Sequence, residues 1–164
     1  MKYQRFEQLP VWQAAIELAI RTYEMTAVPE FARRYSLRDQ IERAAVSVSS
    51  NIAEVFDRGT NPELLTFLYI SRGSTAEVRS LLCLLERMPD FRNLESGIRN
   101  LQLQSDSISK QLGAWIQSLL NSGMKGQRYV TDKTRAQDQK RLEREEFLEK
   151  LQRIRDGREH ASSA

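Results

Sequence analysis

Six arginines and two acid pairs carry most of the polar chemistry of this sequence. Arg33, Arg34, Arg38 and Arg43 follow in close succession, and Arg72 and Arg79 stand two helical turns apart on one edge. A guanidinium group makes planar, paired hydrogen bonds to phosphate or carboxylate. These six residues are therefore candidate nucleic-acid contacts, and ordinary surface ion pairing with Glu77, Glu86 and similar acids accounts for the same pattern. Asp39 with Glu42, and Glu54 with Asp57, are acid pairs at helical spacing. Such pairs are usually solvated or bonded to neighbouring cations, here Arg38, Arg43 and Arg58. Cys83 and His160 each occur once. One histidine in the C-terminal region cannot build a catalytic triad or a histidine metal cluster, and a lone cysteine reads as a small apolar packing residue. There is no glycine-rich phosphate loop and no zinc-ligand spacing. No catalytic residue, metal ligand or cofactor site is expected, and the chain reads as non-enzymatic.

The element that must position these groups is the stretch 37–58. On a helix, Leu37, Ile41, Ala44, Ala45, Val48, Ile52 and Val55 form one apolar stripe with steps of three and four residues. One flank collects Gln40, Arg43, Ser47, Glu54 and Arg58, with Asn51 between that edge and the core. This polar edge reads either as a network that fixes helix register or as part of a subunit interface. The back of the same helix carries no charge between Arg43 and Glu54. Its outward positions are Val46, Ser49, Ser50 and Ala53. Small uncharged residues there suggest a second buried contact with another subunit or a partner; a neutral, solvated face is the other reading.

Three further helices are predicted around it. The first starts near Leu9, with Pro10 at an early position where a missing N–H costs nothing. Its buried face is read as Val11, Trp12, Ala15, Ile16, Ala19, Ile20 and Tyr23, and Pro29 stops it near Val28. Ser36 is the expected N-cap of the second helix, and Gly59 ends it. Thr60, Asn61, Pro62 and Glu63 open the third, whose inner stripe is Leu64, Phe67, Leu68, Ser71, Thr75, Val78, Leu82 and Leu85. Gly73 within it suggests close helix approach. The fourth alternates steps of four and three through Leu94, Ile98, Leu101, Ser105, Ile108, Leu112, Trp115 and Leu119. Connections of roughly four to eight residues favour antiparallel neighbours. The expected fold is an all-α, up-and-down antiparallel four-helix bundle over residues 1–123. A charged C-terminal extension, 124–164, follows, part helical and part disordered. Its stripe of Ala136, Phe147, Leu151 and Ile154 is too thin to hold a lone helix. It reads either as a solvated extension or as a segment that docks on a partner or a copy of itself.

Composition narrows the setting. The chain has 164 residues with 40% hydrophobic and 29% charged, ordinary for one soluble helical domain. No apolar run approaches the roughly 18 residues of a membrane span, and the N-terminus lacks the apolar core of a signal peptide. A single cysteine suits a reducing cytoplasm. The formal net charge of +3 comes entirely from residues 124–164, because residues 1–123 hold equal numbers of cations and acids. That balance permits nucleic-acid binding without requiring it.

The run Gln40-Ile41-Glu42-Arg43-Ala44-Ala45-Val46-Ser47-Val48-Ser49-Ser50-Asn51-Ile52-Ala53-Glu54 resembles the signature of bacterial four-helix-bundle proteins encoded in intervening sequences of large-subunit ribosomal RNA genes. That broad group includes the accessory variability protein of diversity-generating retroelements. Phe6-Glu7-Gln8-Leu9-Pro10-Val11-Trp12, Tyr35-Ser36-Leu37 and Phe67-Leu68-Tyr69-Ile70-Ser71-Arg72-Gly73-Ser74 fit the same pattern, and together the pieces span roughly residues 6–120. Val55 departs from it, standing where the family usually has Gly. The resemblance implies a ring-like homopentamer. It also implies a non-catalytic accessory role in which nucleic acid is bound beside a reverse transcriptase and its template RNA. The alternative it implies is a structural or interaction protein.

Overall fold

The computed structural model describes residues 3–58 and 61–122, together with Arg144. The chain divides into two units, Met1–Gln127 and Arg128–Ala164. Arg144 is the only described residue of the second. The expectations for Gly59, Thr60, His160 and the stripe Ala136, Phe147, Leu151 and Ile154 lie outside the described residues. So does the side chain of Arg58.

Four helices make up the first unit: α1 (Pro10–Thr26), α2 (Tyr35–Arg58), α3 (Asn61–Arg87) and α4 (Glu95–Asn121). Among the described residues there is no strand. Leu9 is extended at the N-terminal boundary of α1, and Pro10 takes its first position. Ala27 closes the helix by donating its N–H to the Tyr23 carbonyl at 3.0 Å. Val28 and Met88, each preceding a proline, are both extended, as steric conflict with the proline ring demands. Ser36 is not the N-cap of α2. The helix already starts at Tyr35, and the Arg34 carbonyl accepts from the N–H groups of both Leu37 and Arg38 at 3.0 Å. The short 3₁₀ turn Pro29–Phe31 leads into the helix too closely to leave Ser36 a capping position.

Neighbours in sequence are neighbours in space, and α1 also closes against α4, so the helices form an up-and-down bundle. The α1–α2 and α3–α4 connections meet at one end. There Phe31 and Phe91 are buried with ring centroids 4.7 Å apart, and Arg34 pairs with Asp90 at 2.8 Å. Such an aromatic pair contributes about 0.5–1.5 kcal/mol beyond its burial.

The α2 stripe is the centre of the core: Ile41, Ala45, Val48, Ile52 and Val55 are fully buried, and Leu37 at its start is half-buried. The inner stripe of α3 is also buried, apart from half-buried Phe67. On α4, Trp115 and Leu119 are half-buried while Ile116 is inside. Six hydroxyl residues are buried in the bundle: Thr22, Thr26, Ser49, Ser71, Thr75 and Ser105. Thr22, Thr75 and Ser105 donate to carbonyls one turn back in their own helices, at 2.7–2.9 Å. Ser71 donates across to the Val48 carbonyl of α2 at 2.9 Å. Every one of these hydroxyls has a partner, as burial requires.

Two expectations need correction. The buried face of α1 turns on Leu18, Thr22 and Met25, while Ile20 and Tyr23 are 49% and 46% exposed. The helix is apolar on both flanks, and packing against α2 and α4 buries only one of them. At Gly73 a Cβ atom would meet nothing within 4 Å, so this glycine permits no close approach within the chain. Core and surface leucine-type positions should separate cleanly in stability. Ile52→Ala is expected to lower unfolding free energy by about 2–5 kcal/mol, and Leu103→Ala, 70% exposed, by under about 0.5 kcal/mol, both read from urea denaturation.

Candidate nucleic-acid interface and self-association face

The six candidate arginines do not form one surface. Arg33 is exposed in the α1–α2 connection. Arg34 pairs with Asp90, Arg38 with Glu42 at 2.8 Å, and Arg43 with Asp39 at 3.3 Å. Three of the four cations before and along early α2 are thus matched to carboxylates, the reading in which they are ordinary ion pairs. Glu42 also accepts from the Thr26 hydroxyl of α1.

Arg72 and Arg79 lie elsewhere, on the edge of α3 that faces α4. Arg72 donates Nε to the Ser109 hydroxyl at 3.4 Å. Its guanidinium lies over Gly113, with its carbon 3.6 Å from where a Cβ would stand. Arg79 donates to Asp106 at 3.0 Å, and Lys110 pairs with the other oxygen of the same carboxylate at 2.7 Å. These side chains line a recess of about 420 Å³ between the helices. Three cations line it beside one acid, which Arg79 and Lys110 share. A second groove of about 560 Å³ continues along the same edge past Cys83, Glu86, Arg99, Gln102 and Leu103. It is charge-balanced: Arg99 approaches Glu86 at 3.7 Å and pairs with Glu95 at 2.7 Å. Lys110 and Ser109 escaped the sequence reading, because Asp106 and Lys110 at i,i+4 look like any exposed helix pair.

Asp106 titrates below the ordinary aspartate range. The main cause is the hydrogen bond from Lys110, with the charges of Lys110 and Arg79 adding to it and partial burial acting the other way.

The polar edge of α2 faces α3. Gln40 donates to Glu77 at 3.3 Å, the Ser47 and Ser74 hydroxyls are 3.0 Å apart, and Asn51 donates to the Ser47 carbonyl and hydroxyl at 2.6 and 2.9 Å. Glu54 continues that edge at an exposed position. Gln40 and Ser47 thus reach across to α3, while Asn51 braces Ser47 within α2.

The back of α2 is only partly as expected. Val46 and Ser50 are exposed and Ala53 is half-buried, but Ser49 is buried at 4% exposure and donates to the Val46 carbonyl at 3.1 Å. Ser49 is not an outward residue: it stands two helical turns on from Glu42, which bonds Thr26 of α1. The α1 flank beside it is the one left over by core packing. Arg21 and Ala14 bond to Gln104 of α4, which leaves Ile16, Ile20 and Tyr23 on the α2 side. By helical spacing these three and Val46, Ser50 and Ala53 fall on the adjoining outer flanks of α1 and α2, and none of the six is charged.

Among the described residues no group of acids, histidine and cysteine is placed to hold a metal ion, and no helix is long and apolar enough to cross a membrane. Fold and site together define an all-α antiparallel four-helix bundle whose notable surfaces are a cation-lined recess and an uncharged face. Residues 7–114 match the model of the 23S rRNA-intervening sequence protein family, and the chain belongs to that family. It is also similar in fold to a crystal structure of a protein with unknown function from the S23 ribosomal protein family of Bacteroides thetaiotaomicron. The TM-score is 0.58 and the identity 21%, covering 65% of this chain and 98% of that one. No curated protein matches the chain.

A lowered aspartate pKa favours the folded state once the group is ionised. The contribution of Asp106 is present above the unfolded aspartate pKa and is lost as pH falls through the lowered folded value. Carbon-detected NMR titration should place the Asp106 midpoint below those of solvated aspartates, and Lys110→Met should move it upward. A midpoint indifferent to Lys110 would show that the pair does not form in solution.

Proposed function

We propose that this chain is a non-catalytic, nucleic-acid-binding accessory protein. The observation that carries this reading is the recess of Arg72, Arg79 and Lys110 around a single Asp106. In a bundle whose charges balance overall, it is a local surplus of positive charge held between two rigid helices, and phosphate is the anion such a surplus favours. The early-α2 arginines contribute little, since Arg34, Arg38 and Arg43 are already matched by carboxylates. By its resemblance to the retroelement accessory protein, the partner in this reading is a reverse transcriptase with structured RNA or DNA. Affinity for labelled nucleic acid, followed by fluorescence anisotropy across a salt series, should fall steeply from low to physiological salt. Arg72→Glu with Arg79→Glu should weaken binding by at least tenfold. Absence of binding at low salt, with or without a partner protein, would defeat the reading.

A second reading is favoured by the uncharged face across α1 and α2. Ile20, Tyr23 and Val46 expose 38–49% of their surface there, and apolar area of that kind is what a subunit contact buries. In this reading the protein is a structural or interaction protein that works through self-association, with the homopentamer implied by the family resemblance as its assembly. The same face serves an accessory protein equally well. Val46→Glu with Ala53→Glu would bury unpaired carboxylates in such a contact. Light scattering should then report a smaller, still helical species; an unchanged mass would rule the face out as the interface.

A further inference from the structure

Resting on the nucleic-acid reading above, we infer that the α3–α4 edge is a lane for single-stranded nucleic acid, with Tyr69 as a base platform beside a phosphate seat formed by Arg72, Lys110 and Ser109. Tyr69 lies three residues before Arg72, hence on the same edge of α3 and about 4.5 Å along its axis. It exposes 51% of its surface. The other large aromatics of α3 and α4, Phe67 and Trp115, pack against the core, so Tyr69 is the ring this edge presents outward. One turn on, Arg72 is held by Ser109 and lies over Gly113. Lys110 and Arg79 close the seat from either side, tied to Asp106.

An aromatic face beside guanidinium and ammonium groups is the arrangement that binds an unpaired strand: the charges follow the backbone and the ring stacks a base. The seat also selects against a duplex. It lies in the crease between two packed helices, whose axes stand about 8–10 Å apart. A single phosphodiester enters such a crease, while the bases of a duplex are covered by their stacked neighbours and cannot lie on Tyr69. No side chain in the lane is arranged to read a base edge, so recognition is by phosphate and ring. Asp106 competes with the incoming phosphate for Arg79 and Lys110.

The test uses the full chain and labelled strands of about 12 nucleotides: single-stranded RNA, single-stranded DNA of the same sequence, and the DNA duplex. Single strands should bind at least tenfold more tightly than the duplex, with RNA and DNA within tenfold of each other. A DNA strand that fails to bind, or a duplex that binds as well, overturns the lane. Tyr69→Ala should weaken binding about tenfold and Tyr69→Phe should not; equal loss in both overturns the platform. Arg72→Ala with Lys110→Ala should lower the salt slope by about two, and Asp106→Asn should tighten binding. A strand carrying 5-bromouracil should photo-crosslink to the peptide holding Tyr69; crosslinks confined to other peptides overturn the placement. Binding that all these variants leave unchanged overturns the lane alone, whereas no binding of any strand at low salt removes the nucleic-acid reading with it.

Discussion

The bundle depends on the seam between α2 and α3. A core of aliphatic side chains tolerates axial sliding, because one methyl group replaces another at little cost. Directed bonds across the helices do not. The Ser71 hydroxyl reaches the Val48 carbonyl from a fully buried position. A shift of one residue would leave that hydroxyl without its cross-helix partner. The Ser47–Ser74 contact and the Gln40–Glu77 bond repeat the restraint toward the surface. Register along α2–α3 then decides which α3 residues face α4, and so where Arg72 and Arg79 stand. At the end of the bundle, Phe31 against Phe91 and Arg34 against Asp90 hold the two longer connections together. The same arginine that looked like a phosphate ligand acts there as a tie between two connections.

Charge placement follows from this geometry. Along early α2 each cation has an acid within one helical turn or on an adjoining connection, so its field is spent locally, and exposed pairs of this kind are worth well under about 1 kcal/mol each. On the α3–α4 edge the arithmetic differs, because Arg79 and Lys110 share Asp106 and Arg72 has a hydroxyl. Two helices with balanced totals therefore leave a positive recess and a neutral groove on one edge. Net charge over the bundle carries no sign of this, since it depends on which side chains meet across a helix pair.

That is also where the sequence stops being legible. Helix number, order and type were readable, because periodicity is a local property: the stripes of α2, α3 and α4 follow the spacing of their apolar residues closely. The place of Asn51 between the polar edge and the core was readable too, and there it is half-buried and bonded. The face of α1 was not. Its apolar residues cover both flanks, and only packing against α2 and α4 decides between Leu18–Thr22–Met25 and Ile16–Ile20–Tyr23. Ser49 misled because small polar residues suit a surface and a tight helix contact equally. The partners of the arginines were not readable: Asp90, Asp106 and Ser109 are distant in sequence, and no spacing rule pairs residues 56, 27 or 37 positions apart.

The two candidate surfaces lie on different sides of the bundle, and that separation has a consequence for how they could act together. Ile20, Tyr23, Val46 and Ala53 belong to the α1–α2 side; Tyr69, Arg72, Arg79 and Lys110 belong to the α3–α4 edge. A contact between copies through the first leaves the second open to solvent. One recess with a surplus of two charges would by itself bind a flexible polyanion weakly, because the few phosphates it could neutralise would release only a small number of counterions. Copies held in a closed, symmetric assembly change that balance without any new contact. Once one recess is occupied, the next meets the same strand at a high effective concentration, and avidity can exceed the single-site affinity by a factor of 10² or more. In such an assembly a weak local charge surplus would suffice for function, and the overall charge balance of the bundle would limit repulsion between copies.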